Sequence, residues 1–350
     1  MQIQALHSPE EFQRYVDFAA EVYQGNPCWI APDPHHLLAL LGGKTPQAEH
    51  CRIQPFWAEV EGRIAATVTA VVDDAFNRHW NERAGNLFFF EALPEADAAA
   101  VALLNSACEW LAGMGCGFAR LAFLFGWQVP LTIDAYDCSP TFFHTYNPPY
   151  YHRKIKNARF GAEKGLVEYR VCFDDHLAAM YREMAGQADR AGVRLRSWDF
   201  SRLEEEAGTF RSLYNRTFAG HWGAPQFTLA EVLDLTVGLK EFLAPEFTVF
   251  AEAGDQVAGV VFSLPDLNQS LRGQPIDHGI LLAIGVDETY RGKGVNLAMA
   301  ARSYLAMIEQ GYRSASYTVV LDDNWPSRRT AEKLGARAAR NFVVYRRNLI

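Results

Sequence analysis

A short basic segment with two glycines, in the C-terminal half, is the best candidate for chemistry in this sequence. Arg291-Gly292-Lys293-Gly294-Val295-Asn296 follows an apolar run that begins at Ile280 and precedes an amphipathic stretch that reaches Ile308. Glycine lets backbone N–H groups turn toward a ligand, and a helix N-terminus adds free amides and the positive end of its dipole. Together with two cationic side chains, this pattern predicts a site for a phosphate-bearing ligand.

Two better-known phosphate loops are excluded by residue count. Six residues separate Gly285 from Gly292-Lys293, whereas a P-loop has four, and Gly294 stands where Ser or Thr would bind magnesium. Leu297 occupies the place of the third glycine in the dinucleotide-binding fingerprint. The segment therefore differs from the loops of P-loop NTPases and of dehydrogenases.

A second polar segment, Asp323-Asn324-Trp325-Pro326-Ser327, opens a short predicted helix. Asn324 is a favourable N-cap, and Gly335 is a favourable stop just after Lys333-Leu334. The two segments together resemble the signature of the GNAT acetyltransferase superfamily. In its motif Arg/Gln-x-x-Gly-x-Gly/Ala, the defined positions fall on Arg291, Gly294 and Asn296, and Asn296 departs from the family's small residue.

The resemblance implies an acyl-CoA site of known layout. In this family the loop amides hold the pyrophosphate, the end of the preceding strand pairs with the pantetheine arm, and a backbone N–H there stabilises the oxyanion. An Asn and a small residue three positions later open the fourth helix close to the coenzyme. The implied cofactor residues are Ile284, Gly285, Val286, Arg291, Gly292, Lys293, Gly294, Val295, Asn296, Asn324 and Ser327.

The proton donor and acceptor are left open by the sequence. Many relatives have a tyrosine seven residues after the Asn of the fourth helix, and here that position is Ala331. Tyr317 and Tyr345 are substitute donors by location, with plain packing as the competing interpretation. The competing interpretation of Asp323 is an acidic residue at a helix start that interacts with the helix dipole. The candidate bases are Asp322, Asp323 and His278.

The residues that line the acceptor-substrate site are expected between the first helices of the C-terminal domain, where they commonly lie in GNAT proteins, and after its third strand. Aromatic packing and an Asx turn are the competing interpretations of these positions. The candidate substrate residues are Tyr214, Asn215, Trp222, Asp266 and Asn268.

The elements that position these residues occur twice, at a constant offset of 193 residues (251 minus 58). Trp57–Val68 falls on Phe250–Val261, and each pattern predicts a hairpin, with turns at Glu61-Gly62 and Gly254-Asp255. The same offset places the apolar run Asn86–Phe90 on Gly279–Ala283.

In both halves a helix and a further strand follow these runs. The helices are predicted from about Glu95 to Gly113 and from Leu297 to near Gly311, and the strands over Phe118–Phe125 and Ser314–Leu321. This order predicts an α/β fold with a mixed sheet, present as two GNAT-like domains in tandem. We expect the domains to span residues 1–175 and 176–350.

The phosphate-binding pattern is present in the second half alone. At the same offset, Arg291–Val295 falls on Ala98–Ala102, and Glu95 and Asp97 precede that run. These acids would repel a pyrophosphate. We therefore predict that the N-terminal domain lacks a coenzyme site, so that the chain resembles tandem-GNAT bacterial proteins with a degenerate N-terminal copy.

The composition excludes several classes of protein. The chain is 49% hydrophobic and 21% charged with a formal net charge of -8, which argues against a nucleic-acid or anionic-membrane binder. No run approaches the roughly 18 apolar residues that span a bilayer. The six cysteines form no C-x-x-C pair, and we expect no metal site. A cytoplasmic monomer or homodimer is expected.

Transfer of acetyl from acetyl-CoA, or of another acyl group from its acyl-CoA, to the amine of a small molecule, amino acid or peptide is the expected activity. Direct transfer without an acyl-enzyme is what the resemblance implies. Two alternatives stay open: a catalytically silent acyl-CoA sensor, and an aminoacyl or long-chain acyl transferase.

Overall fold

The computed structural model describes residues 1–124, 127–128 and 130–349 and divides into two compact units. One unit comprises Met1–Gly165 together with the chain from Phe342 onward, and the other comprises Leu166–Asn341. The units differ from the predicted domains, 1–175 and 176–350. One boundary lies at residues 165/166 and the other at 341/342, each within a strand, so the segment after the second boundary belongs to the first unit. These are called the N-terminal and the C-terminal unit below.

The N-terminal unit combines a mixed sheet with helices. Its strands are β1 (Gln2–Ala5), β2 (Cys51–Val60), β3 (Arg63–Asp73), β4 (Ala84–Ala92), β5 (Phe118–Leu121), β6 (Phe123–Leu124), β7 (Trp127–Gln128) and β8 (Leu131–Thr132). Its helices are α1 (Pro9–Val22), α2 (Pro34–Leu41), α3 (Asp74–Trp80), α4 (Asp97–Gly113) and α5 (Tyr151–Asn157), with a 3-10 turn at Pro46–Glu49. Strand β9 (Gly161–Cys172) leads into the C-terminal unit.

The C-terminal unit has the same kind of composition. Its further strands are β10 (Arg194–Ser197), β11 (Val249–Ala253), β12 (Gln256–Pro265), β13 (His278–Val286) and β14 (Ser314–Leu321), followed by β15 (Arg337–Asn348), which ends in the N-terminal unit. Its helices are α6 (Asp175–Ala185), α7 (Gln187–Arg190), α8 (Leu203–Thr217), α9 (Leu229–Leu239), α10 (Leu267–Leu271), α11 (Val295–Glu309) and α12 (Trp325–Lys333). Its 3-10 turns are Phe200–Arg202, Pro245–Phe247 and Glu288–Tyr290.

Each unit contains the same strand arrangement. The N-terminal order is β1-β2-β3-β4-β5-β15, and the C-terminal order is β10-β11-β12-β13-β14-β9. Neighbouring strands are antiparallel except for one parallel pair in each unit, β4 with β5 and β13 with β14. The predicted duplicated α/β fold with mixed sheets is therefore confirmed.

Local sequence signals account for most of the element boundaries. In the first hairpin, Glu61 and Gly62 have φ of 53° and 79°, the left-handed pair that a tight hairpin turn requires. Gly254 has φ 62° in the second hairpin. Helix α11 ends at Glu309, two residues before Gly311, as its glycine stop predicts.

One predicted strand is divided in the structure. The expected strand Phe118–Phe125 is interrupted at Ala122, whose φ of 72° turns the chain away from the sheet. The residues after it, β6, pair with β7 in a separate ribbon. Phe125 lies outside the described residues.

The core of the C-terminal unit lies between its sheet and α11. Ala298, Met299, Ala300, Ala301 and Tyr304 are fully buried, so that α11 is enclosed on more than the single face that its apolar spacing predicts. Helix α4 buries Leu103, Leu104, Ala107 and Leu111 in the same way in the N-terminal unit. The helix that follows the fourth strand is thus held rigidly in each unit.

Candidate functional site

The basic glycine segment forms an exposed loop at the N-terminus of α11. Gly292 and Gly294 have φ of 75° and 81°, and Gly294 is the N-cap residue, which offers no side-chain hydrogen bond. The first intrahelical bond is donated by Ala298 to the Gly294 carbonyl. Helix geometry therefore leaves the amides before Ala298 directed outward, where an anion can accept their hydrogen bonds.

Cationic side chains surround this helix end. Arg291 Nε donates to the Val286 carbonyl at 3.1 Å, which fixes the guanidinium beside the end of β13. Lys293 lines a cavity of about 540 Å³ together with Gln187, Arg190 and Ala191. The sequence predicted the loop residues, but Gln187 and Arg190 carry no motif, because they reach the site through the packing of α7.

The strand before the loop separates from its parallel neighbour. The pairing of β13 with β14 ends at Leu281 and Tyr317, whereas β13 continues to Val286. Ile284–Val286 pair with β12 on the other side, and Val320 of β14 pairs with β9. Among the described residues, the β14-facing edge of this segment therefore has no ladder partner, so its backbone groups, apart from the Val286 carbonyl that Arg291 Nε bonds, are available to a ligand.

A bulge lies where the two strands separate. Ala283 pairs with Phe262 and Leu281 with Ser263, so that Leu282 is an extra residue on β13. Bulges redirect backbone groups and are common beside active sites. Close packing requires a glycine at position 285, because a Cβ there would overlap Thr217 Oγ1 and lie 3.1 Å from Phe218 Cε2. The C-terminal end of α8 thus lies directly against this part of β13.

Helix α12 is tied to the loop and to β14 by side chains that the sequence singled out. Asn324 caps it, accepting from the Ser327 N–H at 3.2 Å. The Ser327 hydroxyl lies 2.9 Å from the Tyr317 hydroxyl. Asn296 donates to Thr330 Oγ1 at 3.0 Å, which explains why an amide replaces the small residue of the motif. Ala331 is fully buried and offers no donor.

The candidate proton-transfer groups have different surroundings. Burial raises the pKa of Tyr317 to about 12, so its hydroxyl keeps its proton at neutral pH. Asp322 and Asp323 are exposed. His278 is buried between Ser314 Oγ at 2.7 Å and Ser316 Oγ at 2.8 Å, and burial lowers its pKa to about 3. His278 therefore has a structural role in a buried polar network.

Tyr345 lies in the N-terminal unit, in contrast to its expected place beside the coenzyme loop. It pairs with Leu121 of β5, because the second part of β15 completes that unit's sheet. Its hydroxyl lies 2.9 Å from His152 Nδ1. The sequence position at the end of the chain gave no sign of this exchange.

His221 is a further candidate for proton transfer, a role that sequence analysis did not predict for it. It follows α8 and its ring centroid lies 5.5 Å from that of Phe218, the residue that approaches Gly285. Burial lowers the pKa of His221 below its ordinary value, and the Asp323 carboxylate opposes this shift by raising the pKa. The arrangement brings a neutral imidazole and a carboxylate to the strand end.

The predicted acceptor residues lie mostly in supporting roles. Tyr214 is buried and stacks on Phe218 at 4.4 Å between centroids. Asn215 bonds the backbone of Phe227 through both its oxygen and its nitrogen, each at 2.9 Å. Asp266 caps α10 by accepting from the Asn268 N–H, and both side chains are buried. Trp222 is half-buried.

The corresponding place in the N-terminal unit is built differently. Ala98–Ala102 form the first turns of α4, so no glycine loop precedes the helix. Asp97 accepts from Lys154 Nζ at 2.6 Å and from Arg153 Nη2 at 2.9 Å. An acidic residue paired with two cationic side chains thus stands in the first turn of α4, where the C-terminal unit has its glycine loop.

One group of potential metal ligands occurs within the described ranges, although the sequence predicted none. The ligand atoms of His50, Cys51 and Asp73 lie within 4.8 Å of one another. Asp73 accepts from His50 Nδ1 at 2.9 Å and from the Phe76 N–H at 2.9 Å, so that an ion pair and a helix cap account for the group. Among the described helices, none is long and apolar enough to cross a membrane.

The fold and the site together define a protein with two units of the GNAT type, of which the C-terminal one carries the basic glycine loop. The profile of the Acetyltransferase (GNAT) family matches residues 208–336, which contain the loop, β13, β14 and α12. The C-terminal unit thus matches the GNAT family, which implies an acyl-CoA donor, and the whole chain has a tandem GNAT-like fold.

Relatives extend the similarity to the whole chain. A bacterial ceramide synthase of Caulobacter vibrioides is 23% identical over 370 residues, covering 98% of this chain and 96% of that protein. Protein YghO of Escherichia coli is 22% identical over 276 residues, covering 77% and 69%. A solved tandem GNAT protein from the clavulanic acid biosynthesis pathway superposes with a TM-score of 0.63 at 14% identity, covering 100% and 99%.

Proposed function

We propose that this protein is an acyl-CoA-dependent N-acyltransferase that acylates a primary amine at the site in its C-terminal unit. The observation that carries this proposal is the N-terminus of α11, where two left-handed glycines and no capping side chain leave helix amides free beside Lys293, which lines a basic cavity. Such an end stabilises a diphosphate by hydrogen bonds and by the helix dipole.

The residues present fit the chemistry of an acyl-CoA. Arg291, Lys293 and Arg190 supply positive charge for the phosphates, and the amides at the start of α11 supply donors. The unpaired edge of Ile284–Val286 matches the amide groups of a pantetheine arm. When bound, the coenzyme supplies a thioester carbonyl that an amine can attack.

His221 is proposed as the proton acceptor for the attacking amine. An amine must lose its proton to become a nucleophile, and a neutral imidazole near the strand end meets this need. The buried surroundings of His221 keep it neutral, while Asp323 stabilises the charge that the ring gains. Tyr317 is proposed as the donor that protonates the leaving thiolate, because its hydroxyl remains protonated.

The acyl group is proposed to be a long chain. The ceramide synthase match covers almost all of both chains, and a ceramide is by its chemistry the amide of a fatty acid and a long-chain amino alcohol. This similarity favours a fatty acyl donor and a hydrophobic amino alcohol as acceptor. Acetyl transfer, the expectation from the sequence, is the second candidate, supported by the fold shared with the tandem GNAT protein of the clavulanic acid pathway.

A turnover assay with paired donors and acceptors tests both candidates. The purified protein is incubated with acetyl-CoA or palmitoyl-CoA and with sphinganine, glycine or a peptide, and products are identified by mass spectrometry. N-palmitoylsphinganine formed by the wild type, and reduced in His221→Asn, is the expected result.

Other products would redirect the proposal. An N-acetyl product without any palmitoyl product would assign the acetyl reaction instead. Coenzyme binding in calorimetry without turnover of any pair would contradict the enzyme proposal and favour an acyl-CoA sensor.

A further inference from the structure

A small aromatic cavity in the N-terminal unit lies where the C-terminal unit has its coenzyme strand. The parallel pairing of β4 with β5 ends at Leu87 and Leu121, while β4 continues to Ala92. The two strands therefore separate as β13 and β14 do. A cavity of about 50 Å³ opens there, and Glu91 is the ionisable carboxyl group in its wall. This is room for a group of a few atoms and not for a coenzyme.

A bulge shapes the cavity wall, as it does in the other unit. Glu91 pairs with Thr67 and Phe88 with Thr69, so that Phe89 and Phe90 together oppose the single residue Val68. Phe89 has φ 48°, a left-handed conformation that costs a bulky residue energy and that occurs often at ligand sites. At the 193-residue offset, Glu91 corresponds to Ile284 of the coenzyme strand.

Glu91 is surrounded by aromatic side chains. The Tyr151 hydroxyl donates to Glu91 Oε2 at 2.6 Å, and Tyr151 is fully buried. The Tyr23 hydroxyl belongs to the same cluster and donates to the Tyr146 carbonyl at 3.0 Å. The Phe90 and Tyr151 rings lie 5.1 Å apart between centroids. The Glu91 side chain keeps partial access to the cavity.

No cation of the described residues forms an ion pair with Glu91. The buried Lys154, on the same helix as Tyr151, is committed to Asp97 and to the Pro94 carbonyl at 2.9 Å. Burial without a cation raises the pKa of Glu91 to about 7. A buried carboxyl group that lacks a cationic partner gains most from a cationic ligand, and aromatic faces add to that attraction.

A phosphate is disfavoured at this position, although Lys154 and Arg153 partly neutralise Asp97. The start of α4 holds Asp97 where the C-terminal unit has its glycine loop, and Glu95 lies just before it. Both carboxylates repel phosphate. The site is therefore opposite in charge preference to the one in the C-terminal unit.

We propose that this cavity is a second ligand site, which binds the primary ammonium group of an alkylamine through the Glu91 carboxylate and the tyrosine and phenylalanine rings around it. The proposal concerns the N-terminal unit alone and does not depend on the acyl transfer reaction. It gives a function to the copy that lacks a phosphate loop.

Calorimetric titration of the full-length protein with n-butylammonium at pH 8 tests the site, with butan-1-ol as the uncharged probe of equal length. We expect saturable binding of butylammonium with a Kd at least tenfold lower than that of butanol. Glu91→Gln should weaken amine binding at least tenfold. Glu49→Gln, at an exposed carboxylate of the same unit, is the matched control and should bind as the wild type does.

Proton release provides a second measurement that is specific to Glu91. At pH 7, titrations in buffers of different ionisation enthalpy should show that amine binding releases about half a proton from the wild type and none from Glu91→Gln, because the ammonium requires the ionised carboxylate. Circular dichroism verifies that the variant is folded. Equal binding of amine and alcohol, or unchanged amine binding by Glu91→Gln, would overturn the proposal.

Discussion

The Tyr317 hydroxyl lies 2.9 Å from Ser327 Oγ, which links β14 to the first turn of α12 beside the point where β13 and β14 separate. Ser327 is in turn fixed by the Asn324 cap. A phenol is thereby oriented at the strand opening, and its raised pKa keeps the proton in place. A purely packing role of Tyr317 and a proton-donor role lead to different predictions for kcat in variants that remove this hydrogen bond.

Replacing Tyr317 by Phe should lower kcat about 100-fold with the KM for acyl-CoA little changed, because a positioned general acid contributes that order of rate. Loss of the hydrogen bond should cost about 1 kcal/mol of unfolding free energy. Ser327→Ala removes the same hydrogen bond but keeps the phenol. An equal loss of kcat in both variants would assign the effect to the position of α12 and not to proton donation.

Gly294→Val should abolish measurable coenzyme A binding in calorimetry while the protein stays folded. A β-branched residue at φ 81° is strained, and its Cβ would lie 3.4 Å from Gln187 Oε1. The strain costs about 1–2 kcal/mol of stability. Gly273→Val is the matched control, because Gly273 has φ 68°, open space around it, and a place before the start of β13. Similar coenzyme affinity in the Gly294 variant and the wild type would exclude this loop as the phosphate site.

Protonation of His221 should determine the acidic limb of the pH profile of kcat/KM. The base acts in its neutral form, and a pKa below the ordinary value keeps that form at lower pH, so kcat/KM should hold until below about pH 6.5. Asp323→Asn removes the carboxylate that raises the pKa, and should shift the limb to still lower pH. His221→Asn should lower kcat about 100-fold. An acidic limb at the same pH in Asp323→Asn would argue against this pair.

Glu91 should make the protein less stable as pH rises through the acidic range. Its pKa of about 7 in the folded protein exceeds the ordinary value of 4.5, so between these values the unfolded chain loses a proton that the folded chain keeps. At about 1.4 kcal/mol for each pKa unit, the loss is of the order of 3–4 kcal/mol. Glu91→Gln should gain this amount relative to the wild type between pH 4.5 and pH 8 in chemical denaturation. A difference that stays constant with pH would contradict the shift.

Local features were predictable because their causes lie within a few residues of chain. The left-handed Glu61-Gly62 and Gly254 turns, the Asn324 cap and the glycine loop before α11 follow from backbone freedom and capping chemistry alone. The repeat at an offset of 193 residues also reproduced the order of strands, because apolar spacing reports which face is buried. These features predicted the fold and the place of the basic glycine loop.

Features that depend on contacts between distant segments were not predictable in this way. The final strand returns to the N-terminal unit with Tyr345, and Gln187 and Arg190 reach the loop from a helix without a motif. Glu91 follows three phenylalanines that suggest ordinary core, and only the separation of β4 from β5 gives it a cavity.

The amino-acid sequence by itself determined that this chain is a duplicated α/β protein with a basic glycine loop in its second half, because glycine conformation, charge and apolar period act locally. The tertiary structure decided which side chains surround that loop and which unit contains the last strand. It also decided that the Glu91 carboxyl group lines the cavity where β4 and β5 separate. Those outcomes depend on how strands pair and separate, and the pairing of segments far apart in the chain is set by the packing of the whole unit.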